Sequence, residues 1–346
     1  MAACFAERTG VGAKFRYVPE LDGLRGLAIL AVMGFHFAGK LVTAGTLGVD
    51  IFFVLSGYLI TSILLSEVEH AGAIDYRAFL IRRARRLLPA LGVLLVAYAM
   101  LAPLLTPELA GRRWFDIETA IFYVTNLRQT FSPADTPLSH TWSLAIEEQF
   151  YILWPFMLLW LTRFPRPRVA CWLAVAWIAI TLARTAWLFL LAGQAPYYFT
   201  AFHSTGLIFG AMVAIVRPTY RVGRWALAVL LLLVVAGMHN STHLIPQAFA
   251  EIATALVIMD PPVALSAVSM RFLGRISYGV YLWHIPLQWA FAGALIAFFG
   301  ILPGTVVLIA ISCFAGWLSH VLVERRFLRS PHREEVSPEP AISRYA

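Results

Sequence analysis

The chain has 346 residues, of which 60% are hydrophobic and only 13% are charged. An average soluble domain has about a quarter charged residues, and a soluble chain of this size could not bury so much apolar surface. The composition therefore excludes an ordinary soluble enzyme and a disordered protein. The three cysteines, Cys4, Cys171 and Cys313, are far apart, which excludes a disulfide scaffold. A polytopic membrane protein remains.

Ten apolar segments are long enough, or nearly so, to cross a bilayer, which takes about 20 residues per helix. These segments are residues 22–40, 46–66, 87–107, 143–162, 169–191, 203–216, 225–238, 245–260, 276–299 and 302–323. An eleventh segment, near 114–129, is shorter and contains Asp116, Glu118, Asn126 and Arg128. The pattern predicts an all-α membrane protein with about ten transmembrane helices.

The positions of Lys and Arg decide whether the eleventh segment crosses. If it does not cross and the N-terminus is cytoplasmic, the 27 cations divide into 22 inside, 4 outside and Arg184 within a helix. If it crosses, the division becomes 10 inside and 16 outside, against the positive-inside rule. We therefore expect both termini in the cytoplasm and an interfacial or re-entrant segment near 114–129. The net charge of +8 then reflects topology, not nucleic-acid binding.

The predicted domain boundaries follow from the same pattern. Residues 1–325 form one membrane-embedded domain, and residues 326–346, which contain three prolines, form a disordered cytoplasmic tail. The excess of Lys and Arg on one side predicts that this domain crosses the membrane many times with its positively charged loops in the cytoplasm.

The first predicted hairpin contains three ionisable residues, which are functional candidates inside a membrane. Arg25 and His36 are 11 positions apart on the first helix, so they share a face and are separated by about 16 Å along its axis. Asp50 lies near the start of the second helix, at a depth similar to that of His36. A carboxylate bonded to one imidazole nitrogen would leave the other as a base. Alternatively, His36 bonds a backbone carbonyl and Asp50 caps a helix.

Four arginines precede the third span in the sequence RRARR: Arg82, Arg83, Arg85 and Arg86. On a helix Arg82 and Arg86 share a face, as do Arg83 and Arg86. Guanidinium groups bind phosphates through paired hydrogen bonds. The alternative is an anchor that contacts lipid headgroups.

Further candidates lie in the fourth, fifth and ninth spans. Glu147 and Glu148 follow the start of the fourth span, where they either complement the helix dipole or lie beside His36. Arg184, within the fifth span, needs an acidic partner, and either glutamate is a candidate. His284 precedes Pro286 by two residues and is expected to have a core role more than a catalytic one.

Taken together, these motifs resemble the acyltransferase-3 family of integral-membrane O-acyltransferases. The resemblance rests on LDGLRGLAIL with FH, GVDIFFVLSGYLI, RRARRLLPA, LSHTWSLAIEEQFYILWP and ISYGVYLWHIP, which occur in the family's order. It implies transfer of an acyl group, commonly acetyl, from acyl-CoA to a hydroxyl of a carbohydrate or secondary metabolite. It also implies an essential His36, an upstream Arg25 and an RxxR motif at Arg83 and Arg86, with no permanently bound cofactor. The residues then expected to bind the donor are Arg25, Arg82, Arg83 and Arg86. The resemblance further implies the cytoplasmic membrane of a bacterium as the location.

Two other functions fit the residues themselves. A transporter or exporter could use Arg25, His36, Asp50 and Arg184 to line a permeation path. The chain could also be an acyl-modifying subunit that needs a partner protein. The order of the motifs favours the enzyme; the acceptor, the acyl length and the oligomeric state are not predicted.

Overall fold

A computed structural model describes residues 17–38, 45–109, 111–191, 195–217, 221–236 and 244–328. In those ranges the chain forms helices and turns and contains no β-strand. Most of the predicted tail, both termini and the connection at 39–44 lie outside the described residues. The first three residues of the predicted tail are helical, because the last described helix extends to Leu328.

Fifteen α-helices are present in the described ranges. They are α1 Pro19–Ala38, α2 Leu47–Ala71, α3 Tyr76–Leu105, α4 Arg113–Ile121, α5 Thr125–Phe131, α6 Trp142–Leu161, α7 Arg166–Leu191, α8 Ala195–Tyr198, α9 Thr200–His203, α10 Thr205–Val216, α11 Gly223–Ala236, α12 Leu244–Met259, α13 Val268–Phe299, α14 Ile301–Ser319 and α15 Arg325–Leu328. A wider helical turn, His320–Glu324, joins α14 to α15.

Seven of the described helical segments are long and apolar enough to cross a membrane, and three shorter apolar helices accompany them. The seven contain α1, α2, α3, α6, α7, α13 and α14, and the three shorter helices are α10, α11 and α12. These ten helices correspond to the ten apolar segments of the sequence. The prediction of an all-α polytopic membrane protein is confirmed.

The segment near 114–129 forms two short helices, α4 and α5, and no spanning helix. The chain turns between them at Tyr123, whose φ of 52° is left-handed, a conformation that ends a helix. Arg128 of α5 forms a buried ion pair with Asp116 of α4. Tyr98 of α3 donates a hydrogen bond of 2.9 Å to the same carboxylate. These contacts attach the segment to α3 and explain how its charged residues Asp116 and Arg128 remain buried.

The centre of the bundle is formed by α1, which contacts α2 and α13, and by α2, which also contacts α10 and α12. Small residues set the spacing between α1 and α13. A Cβ at Gly26 would collide with the carbonyl oxygen of Met270, and one at Gly274 would collide with that of Asp22. Helices that approach this closely through small residues are typical of membrane proteins. The close approach brings Arg25 of α1 against the start of α13.

Candidate functional site

Two cavities lie along α1, one at each end. The first, which we call the arginine cavity, is a narrow space of about 50 Å³. Its polar lining is Arg25, Ser56, Arg83, Arg86, Ser143, Glu147, Tyr151, Ser277, Tyr278 and Tyr281. Two arginines predicted to bind a donor, Arg83 and Arg86, therefore meet Arg25 at one site.

Each group in the arginine cavity that can be charged is held by a neighbour. Arg25 donates to the Ser277 hydroxyl at 2.9 Å and lies 5.2 Å from the centre of the Phe52 ring. Ser56 donates to Glu147 at 2.7 Å. The guanidinium of Arg83 is only 3.0 Å from Glu148. The cavity contains cations held in fixed positions, as binding of a phosphate or a polar arm requires.

Arg83 has a further contact that fixes its plane. Its central carbon lies 3.4 Å from the centre of the Tyr151 ring, and the residue is buried. An arginine stacked on an aromatic ring and paired with a carboxylate has one orientation. Arg83 therefore shapes the arginine cavity even where Glu148 neutralises its charge.

The second cavity, which we call the histidine cavity, is larger, at about 520 Å³. Its lining is His36, Gln129, Pro133, Ala134, Asp135, Ser139, His140, Trp142, Tyr198, Ile285, Gln288 and Trp289. The segment of α5 contributes through Gln129, whose side-chain amide bonds the backbone of Ala134 twice, at 2.8 and 2.9 Å. The short non-spanning segment therefore forms one wall of this cavity.

The tautomer of His36 follows from its hydrogen bonds. Its Nδ1 lies 2.9 Å from the carbonyl oxygen of Val32, and because a carbonyl only accepts, Nδ1 carries the hydrogen. Nδ1 is also 3.3 Å from Nε2 of His284. The Nδ1 of His284 lies 2.6 Å from the Tyr281 carbonyl oxygen, so in the neutral ring Nε2 is left to accept. Nε2 of His36 thus keeps its lone pair, the form of an imidazole that acts as a base.

His140 is a third histidine at this site, and the sequence analysis did not single it out. It is buried in the turn before α6, and its ring lies 5.2 Å from that of His284 and 5.5 Å from that of Tyr281. The backbones of Pro137 and Leu282 lie near its ring nitrogens, although within the described part of the chain neither contact reaches full hydrogen-bond geometry. The available signal was its place in SHTW, a histidine directly before a predicted span.

The expected contact between Asp50 and His36 is wrong. Asp50 instead accepts a hydrogen bond of 2.7 Å from Gln247 and lies 3.3 Å from Nε2 of His203. Gln247 lies on α12 and His203 on α9, so Asp50 faces these two helices and not His36. Depth along a helix does not define which side a residue faces. The base form of His36 therefore depends on Val32 and His284, and Asp50 belongs to a separate buried cluster.

The two glutamates also lie elsewhere than expected. Along α6, Trp142 lines the histidine cavity while Ser143 and Glu147 line the arginine cavity. The helix runs away from His36, so Glu147 reaches the depth of Arg25 and Ser56. Placement of Glu147 or Glu148 beside His36 is therefore wrong.

Arg184 does not pair with either glutamate. It donates to the carbonyl of Phe202 at 3.0 Å, next to the cluster of Asp50 and His203. Arg82 also lies apart from the arginine cavity, because its guanidinium pairs with Glu67 of α2 at 2.7 Å. Of the four residues predicted to bind the donor, Arg25, Arg83 and Arg86 line the cavity and Arg82 does not.

Taken together, the geometry offers an acid–base site next to a cationic site. An imidazole with a free Nε2 can take a proton from a hydroxyl, and the histidine cavity is wide enough to hold one. The adjoining arginines can hold phosphates or the polar part of a long donor. This combination suits transfer of a group from a phosphorylated carrier to an alcohol.

Comparison with known proteins identifies the family. The Acyltransferase domain family Acyl_transf_3 matches residues 18–321. The peptidoglycan O-acetyltransferase OatA of Listeria monocytogenes is 34% identical over 310 residues, which cover 79% of this chain and 49% of OatA. A putative O-acetyltransferase of Staphylococcus aureus is 32% identical over 364 residues, covering 93% of this chain and 58% of that protein.

A putative peptidoglycan O-acetyltransferase of Bacillus subtilis, YrhL, is 33% identical over 308 residues, or 79% of this chain and 49% of YrhL. The chain thus spans about half the length of these relatives. No solved structure matches it. The family match over most of the chain, at more than 30% identity to several relatives, shows that this multi-pass membrane protein belongs to the acyltransferase-3 family of O-acetyltransferase-like enzymes.

Proposed function

We propose that the chain transfers an acyl group, specifically acetyl, from acyl-CoA to a hydroxyl of a glycan. The observation that carries the proposal is that a histidine base and a cluster of arginines line two neighbouring cavities along α1. Acyl-CoA binds at the arginine cavity, and the acceptor enters the histidine cavity. Family membership favours this function over a transporter that would use the same residues.

The reaction follows from the tautomer of His36. Its Nε2 takes the proton of the acceptor hydroxyl while the oxygen attacks the thioester carbonyl carbon. The carbon–oxygen bond forms, the carbon–sulfur bond breaks, and the proton passes from His36 to the thiolate of CoA. His284 acts as a positioning residue, because its Nε2 accepts a share of the Nδ1 hydrogen of His36 at 3.3 Å and so stabilises the productive tautomer.

The donor is proposed to bind through Arg25 and Arg86, with Arg83 holding the shape of the site. Coenzyme A carries a pyrophosphate and a 3′-phosphate, and arginines bind such groups through charge-assisted hydrogen bonds. The arginines lie at the end of the bundle that the positive-inside rule assigns to the cytoplasm, where CoA is available. This orientation places both termini in the cytoplasm of a bacterium and the histidine cavity towards the outer face.

A glycan acceptor is supported by the lining of the histidine cavity. Trp142, Tyr198 and Trp289 provide flat apolar faces, and Gln129, Asp135 and Gln288 provide hydrogen-bonding groups. Ligand sites generally combine apolar walls with a few polar groups that fix orientation. Relatives named as peptidoglycan O-acetyltransferases point to a cell-wall glycan within that class.

The direct test uses purified protein in vesicles with radiolabelled acetyl-CoA and N-acetylglucosamine oligomers as the acceptor probe. We expect an alkali-labile acetyl group on the oligomer and an equal amount of free CoA. Protein with the substitution His36→Ala is the control and should give neither. A wild-type protein that moves label across the membrane without forming an ester would instead support the transporter. Activity that appears only after a membrane extract is added would indicate a partner-dependent subunit.

A further inference from the structure

The two cavities lie next to each other but share no lining residue. Residues that are close in the chain line different cavities. On α6, Trp142 lines the histidine cavity and Ser143 lines the arginine cavity. On α13, Ile285 lines the histidine cavity and Tyr281, one helical turn earlier, lines the arginine cavity. On α1 the boundary falls between Arg25 and His36. A barrier therefore separates the cationic site from the base, and the thioester must pass it if His36 is to act on it.

The polar part of this barrier is the phenol of Tyr281. Its hydroxyl donates to the carbonyl oxygen of His140 at 2.8 Å and lies 2.5 Å from the hydroxyl of Ser143. The residue is buried in a cluster with Ile29, Met33 and Phe53. Two hydrogen bonds from α13 to the start of α6 thus hold one aromatic ring at the boundary of the two cavities.

The helix that carries this ring is weakened close by. Pro286 lies inside α13, and because proline has no N–H, the carbonyl of Leu282 lacks its helical donor. Helices bend most easily at such positions. The Tyr281 carbonyl, in turn, bonds Nδ1 of His284 at 2.6 Å. Movement of Tyr281 is therefore linked to His284, the residue that orients His36.

On this basis, and resting on the proposed function, we propose that Tyr281 is the specificity-determining barrier between donor and acceptor. With the phenol in place, a thioester in the arginine cavity is separated from the water that enters the histidine cavity. The phenol turns aside when the acyl end of the donor advances, which breaks its bonds to His140 and Ser143. Tyr281 thereby favours transfer to an acceptor hydroxyl over hydrolysis of the donor.

The competing reaction defines what the experiment measures. In hydrolysis, water attacks the thioester carbonyl, the carbon–sulfur bond breaks, and the products are acetate and the CoA thiol. In transfer, the same bond breaks and the acetyl group appears on the acceptor. The ratio of acetate to acetylated acceptor therefore reports how well the barrier excludes water, independently of the total rate.

The test compares Tyr281→Phe with wild type in the full chain, with acetyl-CoA and N-acetylglucosamine oligomers as probes. The phenylalanine keeps the ring and removes both hydrogen bonds, so we expect the ratio of hydrolysis to transfer to rise at least about fivefold, the scale of losing one or two buried hydrogen bonds. Ser143→Ala removes one of the bonds and should give a smaller rise. Tyr58→Phe is the matched control, because it removes the phenol hydroxyl of a half-buried tyrosine that lines neither cavity, and its ratio should equal that of wild type.

Three outcomes would count against the barrier. Ratios unchanged in both Tyr281→Phe and Ser143→Ala would overturn it, and so would an equal rise in Tyr58→Phe, which would indicate general loosening of the bundle. If Tyr281→Phe does not fold, Ser143→Ala alone decides by the same criterion. A wild-type protein that consumes no acetyl-CoA would overturn the proposed function itself, and the barrier with it.

Discussion

The Nε2 atom of His284 lies 3.3 Å from Nδ1 of His36, although the two residues are 248 positions apart in the chain. The contact joins α1 to α13 at the boundary of the histidine cavity. Because His36 also bonds the Val32 carbonyl, the two contacts together leave only Nε2 of His36 able to accept a proton. Substitution of His36, of His284 and of Asp50 tests this arrangement.

Replacement of His36 by alanine should abolish transfer without unfolding the protein. The residue is only partly buried at a cavity wall, and loss of a general base lowers rates by about 10²–10⁴-fold. The measurement is the rate of acetyl transfer at saturating donor. His70→Ala is the matched control, since His70 also bonds the carbonyl four residues earlier but lies exposed at the end of α2. Transfer by His36→Ala at a rate near that of wild type would refute the mechanism.

Replacement of His284 should change the pH dependence of transfer and not only its rate. His284→Phe keeps the ring shape but removes one of the two acceptors near the Nδ1 hydrogen of His36, so the Val32 carbonyl alone holds the tautomer and the orientation of the ring is less fixed. We expect the kcat/KM profile against pH to change shape, and His284→Gln to restore part of the rate. His203→Phe, which removes another buried histidine bonded to a backbone carbonyl, should lower stability but leave the profile as in wild type. A parallel loss at every pH in His284→Phe would mean a structural role.

Substitution of an arginine in the arginine cavity should weaken binding of the donor and leave binding of the acceptor unchanged. Arg86→Gln should raise the KM for acetyl-CoA by roughly 10-fold or more, because a charge-assisted hydrogen bond contributes about 1.5–3 kcal/mol, and leave the KM for the acceptor unchanged. Arg85→Gln removes the same charge from an exposed position of α3 and should change neither. Equal effects of the two substitutions would favour an anchor that contacts lipid headgroups.

Substitution of Asp50 tests the finding that this carboxylate does not contact His36. Its partners are Gln247 and His203, so Asp50→Asn should lower the melting temperature but leave the pH profile of transfer unchanged. Thermal unfolding in one detergent and the kcat/KM profile together measure both effects. A profile altered in the same way as in His284→Phe would show that Asp50 acts on His36 after all.

The ion pair of Asp116 and Arg128 should be a major source of stability for the α4–α5 segment. Both side chains are almost wholly buried, at 0% and 2% exposure. Burial raises the pKa of the Asp116 carboxyl, and the Arg128 guanidinium opposes that rise. Arg128→Met leaves the carboxyl without its cation, and breaking a buried pair costs about 3–5 kcal/mol.

The matched control for this pair is Arg166→Met. Arg166 lies 2.6 Å from Glu69, but both side chains are exposed, at 54% and 36%, and such pairs contribute about 0–1 kcal/mol. Thermal unfolding should therefore show a large fall in melting temperature for Arg128→Met and a small one for Arg166→Met. Similar shifts in both would contradict the role given to the buried pair.

The sequence predicted the fold well because a spanning helix can be recognised from consecutive residues, without knowledge of tertiary contacts. Each spanning helix is marked by a run of apolar residues, and the division of Lys and Arg between the two sides of the membrane predicted that the segment near 114–129 does not cross. The same reasoning identified Arg25, Arg83 and Arg86, which the structure brings to one cavity.

The site was predicted less well because its contacts depend on which way each helix faces. Asp50 and His36 have similar depth, yet Asp50 faces α12 and the His203 turn. Of the two interpretations of Glu147, the one that put it beside His36 was wrong for the related reason that α6 begins at the boundary and runs towards Arg25. His140 and Tyr281 were missed, because neither a histidine in a turn nor a tyrosine in an apolar helix is distinctive until α6 and α13 are placed together.

The central claim, that a donor held by the arginines reaches the base across the boundary at Tyr281, is tested most directly by a structure with bound CoA. We predict that the phosphates lie at Arg86 and Arg25 and that the sulfur points along α1 towards Tyr281 and His36. The narrow arginine cavity of about 50 Å³ must widen to admit the pantetheine arm. Nucleotide bound at the histidine cavity, or a sulfur directed away from His36, would contradict the account.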